Sequence, residues 1–162
     1  MSKRNAVRSL AVAIAAVVLS AGVLAFAGSQ KPGAANRFGK WKMDSDAPAP
    51  QSNIMTYEPF GDGGMKVTVT TVNAQGQTRD WGYETLFDGV FRPVRNQDGN
   101  ETAVEFIDDW STRIQNKTKG RVTQIVINTL SKDLKTINNE YVRLDDEGKI
   151  RGVTHAVYRK IQ

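Results

Sequence analysis

The chain has 162 residues, 40% of them hydrophobic, with 22 Lys and Arg against 17 Asp and Glu, one His and no Cys. That length suits a single domain. Without Cys there is no disulfide framework, thiolate zinc site, iron–sulfur cluster or thiol nucleophile, and His155 alone excludes a multi-His metal cage.

The N-terminus reads as an address. Lys3, Arg4 and Arg8 precede an apolar run from Leu10 to Leu19, Ser20 and Gly22 loosen it, and Ala25-Phe26-Ala27 supplies a small-x-small pattern before polar Gly28-Ser29-Gln30. This layout predicts a secretory signal peptide over 1–27, cleaved after Ala27, and hence a secreted or periplasmic protein. The rival is an uncleaved anchor, because Leu10 to Ala27 would reach roughly 27 Å as a helix, the lower edge of a bilayer span. Ser20, Gly22 and the cleavage pattern favour removal, so no stable membrane anchor is expected. No Cys follows the apolar run, which excludes a lipid-anchored lipoprotein.

Cleavage removes three bases and no acid, and takes the formal charge from +5 to +2. The remaining bases (Arg79, Arg92, Arg95, Arg113, Arg121, Arg143) are dispersed among acids, with no basic stripe or Arg-rich arm. A nucleic-acid partner is not expected.

In chain order, 28–36 is rich in Gly, Ser, Pro and Ala and predicts a disordered lead-in. The folded domain is expected over 37–162. Ala47-Pro48-Ala49-Pro50 is too short for an interdomain linker and is expected to cover an edge or cross the end of a sheet. Turn signals then recur: Gly61-Asp62-Gly63-Gly64, Asn73-Ala74-Gln75-Gly76, Asp88-Gly89, Asn96 to Asn100, Asp108-Asp109, Lys119-Gly120, Ser131-Lys132-Asp133 and Asp145 to Gly148. Several offer the Gly, Asn or Asp that hairpins need at positive φ.

The stretches between them are short and rich in β-branched and aromatic residues. Met65, Val67 and Val69 alternate with Lys66, Thr68 and Thr70; Val122, Val126 and Leu130 share one face, with Ile125 and Ile127 on the other. Near the C-terminus Val153, His155, Val157, Arg159 and Ile161 lie opposite Thr154, Ala156, Tyr158 and Lys160. The expectation is an all-β, antiparallel up-and-down meander closing into a barrel of about eight to ten strands, with a β-sandwich as the alternative. Leu134, Ile137, Tyr141 and Leu144 recur at helical spacing while Thr136-Ile137-Asn138-Asn139 favours strand, so 133–143 stays open.

Gly39-Lys40-Trp41-Lys42 resembles the G-x-W start of lipocalins and the G-x-W-K start of intracellular fatty-acid-binding proteins, and Val157-Tyr158-Arg159-Lys160 is similar to the last strand of the latter. The resemblance implies a lipocalin-like barrel in which Gly39 and Trp41 close one end and Arg159 stacks on Trp41 as a cation–π partner. Ala156 stands where the fatty-acid-binding proteins carry an Arg before the terminal Tyr, so their anion-binding pair is not implied here. The Pro-rich 46–51 segment leaves no helical lid, and the lipocalin T-D-Y signature is absent. Over most of the mature chain there is also a resemblance to small bacterial secreted proteins of unknown function, in G-x-W-K, Pro-x-Pro, Tyr57-Glu58-Pro59, Gly61-Asp62-Gly63 and Phe87-Asp88-Gly89.

Asp108-Asp109 and Asp145-Asp146-Glu147 sit in turns without calcium-loop spacing, and Asp44 with Asp46 lacks further ligands, so no metal or other cofactor is expected. His155 is the sole candidate for a general base or haem ligand inside a barrel; the plainer alternative is a core or rim histidine. No nucleophile motif or phosphate loop accompanies it, and no catalytic residue is assigned. Asn100-Glu101-Thr102 and Asn116-Lys117-Thr118 match glycosylation sequons by chance spacing.

Trp81, Tyr83 and Phe87 share one strand parity and are expected either to line a cavity or to fill a core. The predicted function is binding of a small apolar or amphipathic ligand in the barrel, with Tyr141, Arg143 and Tyr158 orienting it. The alternative is a cell-envelope module with a filled core, acting through exposed aromatics such as Trp110 or Phe60.

Overall fold

The computed structural model describes residues 32–162. The expected signal peptide and the first part of the lead-in, 28–31, lie outside the described residues. Ten strands follow in sequence: β1 Gly39–Met43, β2 Ser52–Phe60, β3 Gly64–Val72, β4 Thr78–Thr85, β5 Arg92–Pro93, β6 Asn100–Phe106, β7 Ser111–Thr118, β8 Arg121–Leu130, β9 Thr136–Leu144 and β10 Ile150–Lys160. They form one antiparallel sheet in the order β4-β3-β2-β1-β10-β9-β8-β7-β6-β5. Only the β1–β10 ladder joins strands distant in sequence, pairing Trp41 with Lys160 and Met43 with Tyr158. This is the up-and-down barrel the hairpin pattern predicts, and a single continuous sheet replaces the sandwich alternative.

Closure is nearly complete. At the β4–β5 seam, Gly82 and Arg95 exchange two main-chain hydrogen bonds, 2.7 and 3.3 Å. The ladder stops there for a local reason. The Val94 N–H donates to Asn100 O on β6, so the alternating positions Pro93 and Arg95 face β4, and Pro93 has no N–H to extend the pairing. Val67, Tyr83, Arg92 and Pro93 line the resulting gap. Gly82 is needed at the seam because a Cβ there would lie 2.3 Å from Val67 O.

The helical spacing in 133–143 does not produce a helix. Thr136–Leu144 is strand, paired on both edges with β8 and β10, while 131–135 is a turn held by Ser131 N–H to Thr136 O and by Leu134 at φ +59°. Two flanking ladders supply partners that an isolated helical pattern cannot match. Within β9, Ile137, Asn139 and Tyr141 turn inward with a period of two.

Register rows run obliquely because barrel strands tilt. Trp41, Met55, Val69 and Trp81 are successive partners on β1 to β4, so one row climbs from the closed end to the open one. Trp41 is fully buried, its indole N–H donating to Arg37 O at 2.8 Å. Gly39 opens β1 at φ +127°, where a Cβ would stand 2.2 Å from Gln162 O; the neighbouring Lys40 N–H bonds that same oxygen. The Gly of the G-x-W start thus lets the first strand lie against the chain's last residue.

Two expectations at this end are corrected. Arg159 does not stack on Trp41: Tyr158 faces inward, so by the period of two Arg159 faces outward, where its guanidinium holds Asp44 at 2.7 and 2.9 Å. Lys160 is the inward register partner of Trp41 and places its ammonium 5.2 Å from the ring. The lead-in is also ordered where it is described. Pro32–Ala35 is a helical turn, with Gly33 against Phe106 and Ala34 without exposure, because the barrel end needs a cover and small residues fit the space beneath it.

Candidate functional site

The barrel divides into a filled lower half and an open upper half. Below, Phe87 and Phe106 stack at 4.3 Å, and Leu130 and Ile137 complete an apolar floor. Above that floor lies a buried polar network. Arg37, without exposure, donates through one terminal nitrogen to Asn128 Oδ1 and through the other to Trp110 O. Asn128 Nδ2 donates to Asn139 Oδ1 at 2.7 Å, and Asn139 Nδ2 donates to the Tyr141 hydroxyl at 2.9 Å. Tyr158 feels Tyr141 electrostatically, and the Tyr57 hydroxyl stands 3.5 Å from Asn128 Nδ2. Desolvation lowers the Arg37 pKa below its ordinary value, against the opposing influence of Tyr57, Tyr83 and Asp108.

All four tyrosines of the chain gather here. Burial pushes Tyr57 up to about 12 and raises Tyr83 and Tyr158 as well. Unfolded tyrosines ionise near pH 10, so the fold favours the neutral phenols and the stability they contribute is complete below that pH. It is lost as pH rises from about 10 towards 12 and beyond, as these buried phenols ionise. The phenolate absorbance is therefore expected to rise together with loss of near-ultraviolet circular dichroism. Ionisation of Tyr57, Tyr83 and Tyr158 near pH 10 in an intact fold would contradict this.

The upper half holds a cavity of about 750 Å³, open to solvent. Trp81 and Val94 form its apolar side, and Thr102, Asn116, Gln124 and Arg143 form a polar girdle along one register row. Thr102 Oγ1 donates to Asn116 Oδ1 at 2.8 Å, and Asn116 Nδ2 donates to Gln124 Oε1 at 2.9 Å. The next row down, Val104, Ile114, Val126 and Tyr141, is the boundary with the filled half. Opposite Arg143 on β10 stands Gly152, at a register shift, and a Cβ there would meet nothing within 4 Å. The missing side chain leaves open space beside the Arg143 guanidinium.

Charge at this mouth is uneven. Arg92, Arg95, Arg113, Arg121 and Arg159 each pair with a carboxylate elsewhere on the barrel. Arg143 and Arg151, both lining the cavity, form no ion pair among the described residues, and Lys117 rests over the Phe91 ring at 3.5 Å. Glu101 is the one carboxylate in the lining.

Of the residues singled out from sequence, Trp81 and Arg143 meet in this cavity. Tyr83 follows Trp81 on the inner face, ring centroids 6.4 Å apart, but lies in the filled half with Tyr141 and Tyr158. Phe87 does not continue the strand parity. β4 ends at Thr85, Thr85 Oγ1 accepts the Phe87 N–H, and the chain turns at φ +54° to place Phe87 at the closed end. His155 is exposed on the outer face of β10, beside Glu140, and cannot act as a base or haem ligand inside the barrel.

The tandem acids serve turns: Asp108 Oδ1 accepts the Trp110 and Ser111 N–H groups, which lower its pKa, and Asp145 Oδ1 accepts those of Glu147 and Lys149. Asn116, in one sequon, points into the girdle. Trp110 packs against the core, and Phe60 is half-buried, so neither supplies the exposed aromatic patch of the envelope-module alternative. Sequence reasoning missed Arg37, Asn128 and Asn139. A signal existed for the asparagines, because both fall at core parity, between Val126 and Leu130 and between Ile137 and Tyr141.

The fold and its half-open interior define the class: a lipocalin-like antiparallel barrel with one closed and one open end. Solved structures of the fluorescent protein UnaG share it. A single-residue variant of UnaG superposes with a TM-score of 0.54 at 10% identity, covering 79% of this chain and 98% of that one. The wild type gives 0.52 at 11% identity, over 76% and 96%. At that identity the likeness is one of fold. No protein-family model matches the chain, and no curated protein matches it in sequence.

Proposed function

We propose that this is an exported binding protein that takes a small amphipathic molecule into the open half of its barrel. The cavity carries the reading: its volume falls within the range of small-molecule sites, and an apolar wall faces a few polar groups. Trp81 and Val94 would bury the apolar part. Arg143, part of the girdle and without an ion pair among the described residues, would orient the polar end. Export is supported by the N-terminal pattern, and a purified protein whose sequence still began before Gly28 would remove that part.

Gly152→Leu tests the site. The new side chain meets open space at a position without positive φ, so the thermal midpoint should hold within a few degrees while the cavity fills. Binding of a fluorescent apolar anion such as anilinonaphthalene sulfonate is expected to weaken about tenfold or more, at 1.4 kcal/mol per decade. Unchanged affinity in a folded variant would overturn the reading. So would an empty barrel in native mass spectrometry of protein from its own compartment, together with no response to such probes.

A further inference from the structure

Residues 44–51 cross the open end from β1 to β2 as an exposed strap, Pro50 lying beside the Gly76 turn. Beneath the strap is a second crevice, of about 340 Å³, with Met43, Ala47, Ala49 and Val72 on its apolar sides. Asn53 and Thr71, register partners on β2 and β3, line it as well. Asn53 shares the inward face of Met55 and Tyr57.

The side-chain oxygen of Asn53 is shielded from solvent and has no hydrogen-bond partner. Arg37 Nε is the one other such side-chain atom among the described residues. Native folds keep buried acceptors paired, since desolvating one without a partner is costly. The neighbouring Thr71 hydroxyl cannot serve, because it donates to Arg79 O at 3.3 Å. Lys42 lines the same crevice, which disfavours a cationic donor there.

We propose that the crevice under the strap is a subsite for a neutral hydrogen-bond donor of the ligand, a hydroxyl or an amide N–H, accepted by Asn53 Oδ1. The inference rests on ligand binding at the open end and adds the chemistry of a second polar group on that ligand. Its acceptor end meets Arg143; its donor end lies under the strap.

The test is competition against anilinonaphthalene sulfonate on the purified chain, using lauryl alcohol and its methyl ether, which share a chain and differ in one donor. The alcohol is expected to bind roughly five- to tenfold more tightly. That advantage should vanish in Asn53→Leu and persist in Asn53→Asp, which is nearly isosteric and keeps the acceptor. Equal affinities in the parent protein, with water serving Asn53, would overturn the subsite while leaving ligand binding intact. An advantage that survives Asn53→Leu, or is lost in a folded Asn53→Asp variant, would also overturn it. If the probe and both competitors fail to bind, the ligand reading falls and takes the subsite with it.

Discussion

Trp41→Ala is expected to cost about 3–5 kcal/mol, the range for deleting a large buried aromatic side chain. Trp41 is without exposure, its N–H is bonded to Arg37 O, and its ring starts the register row that climbs to Trp81. The space left cannot be recovered by collapse, because Gly39 and Gln162 fix the strand beneath it and burying the Lys160 ammonium there would be costly. Chemical denaturation should show the loss as a lower midpoint with an unchanged slope. Arg159→Ala is the contrasting variant. Its partner Asp44 is exposed on the outer surface, and exposed ion pairs contribute about 0–1 kcal/mol. A larger loss from Arg159 than from Trp41 would reverse the assignment made at this end of the barrel.

Arg37→Ala should destabilise on the order of 3 kcal/mol, and Arg37→Met much less. The guanidinium is fully buried and forms no ion pair among the described residues; Asn128 and the Trp110 carbonyl accept from it, and Nε lacks a partner there. Truncation to Ala leaves Asn128 Oδ1 without its donor, while Trp110 O keeps the Leu130 N–H at 2.8 Å, and it opens a void at the barrel's closed end. Met fills that void and removes a costly desolvated charge, so its two effects oppose one another. The comparison separates volume from hydrogen bonding. Equal losses for Ala and Met would show that the hydrogen bonds dominate, and a near-neutral Ala variant would show that the helical turn is not fastened by this residue.

The difference between Arg37 and Arg159 shows where sequence reasoning works and where it stops. Strand parity is a local property, so the outward direction of Arg159 is legible from its neighbour Tyr158 on the opposite face of the last strand. Arg37 precedes the first strand in a segment of low hydrophobicity, and nothing local marks it for burial. Its acceptors are 73 and 91 residues away, on the β7 turn and on β8. Phe87 failed for the opposite reason: parity was carried across Thr85, where a side-chain hydrogen bond to the Phe87 N–H ends the strand. Alternation holds only while the ladder lasts.

The candidate site was legible in part. Trp81 and Arg143 were both identified, one from aromatic parity and the other as a polar group near a strand end. The girdle of Thr102, Asn116 and Gln124 was not, because none of these residues is unusual alone, and the row exists only through pairing of β6, β7, β8 and β9. The unpartnered oxygen of Asn53 is likewise invisible until the strap lies across the end of the sheet.

Composition excluded thiol chemistry and a multi-His cage. Hairpin signals separated by period-two segments determined an antiparallel meander, since turn chemistry and side-chain alternation are written in neighbouring residues. Only the tertiary structure decided which end closes, that Lys160 and not Arg159 covers Trp41, and that the interior is filled below Tyr141 and open above it. Those outcomes depend on register and shear around ten strands, where a shift of one residue exchanges inside for outside, and no stretch of the chain contains that information by itself.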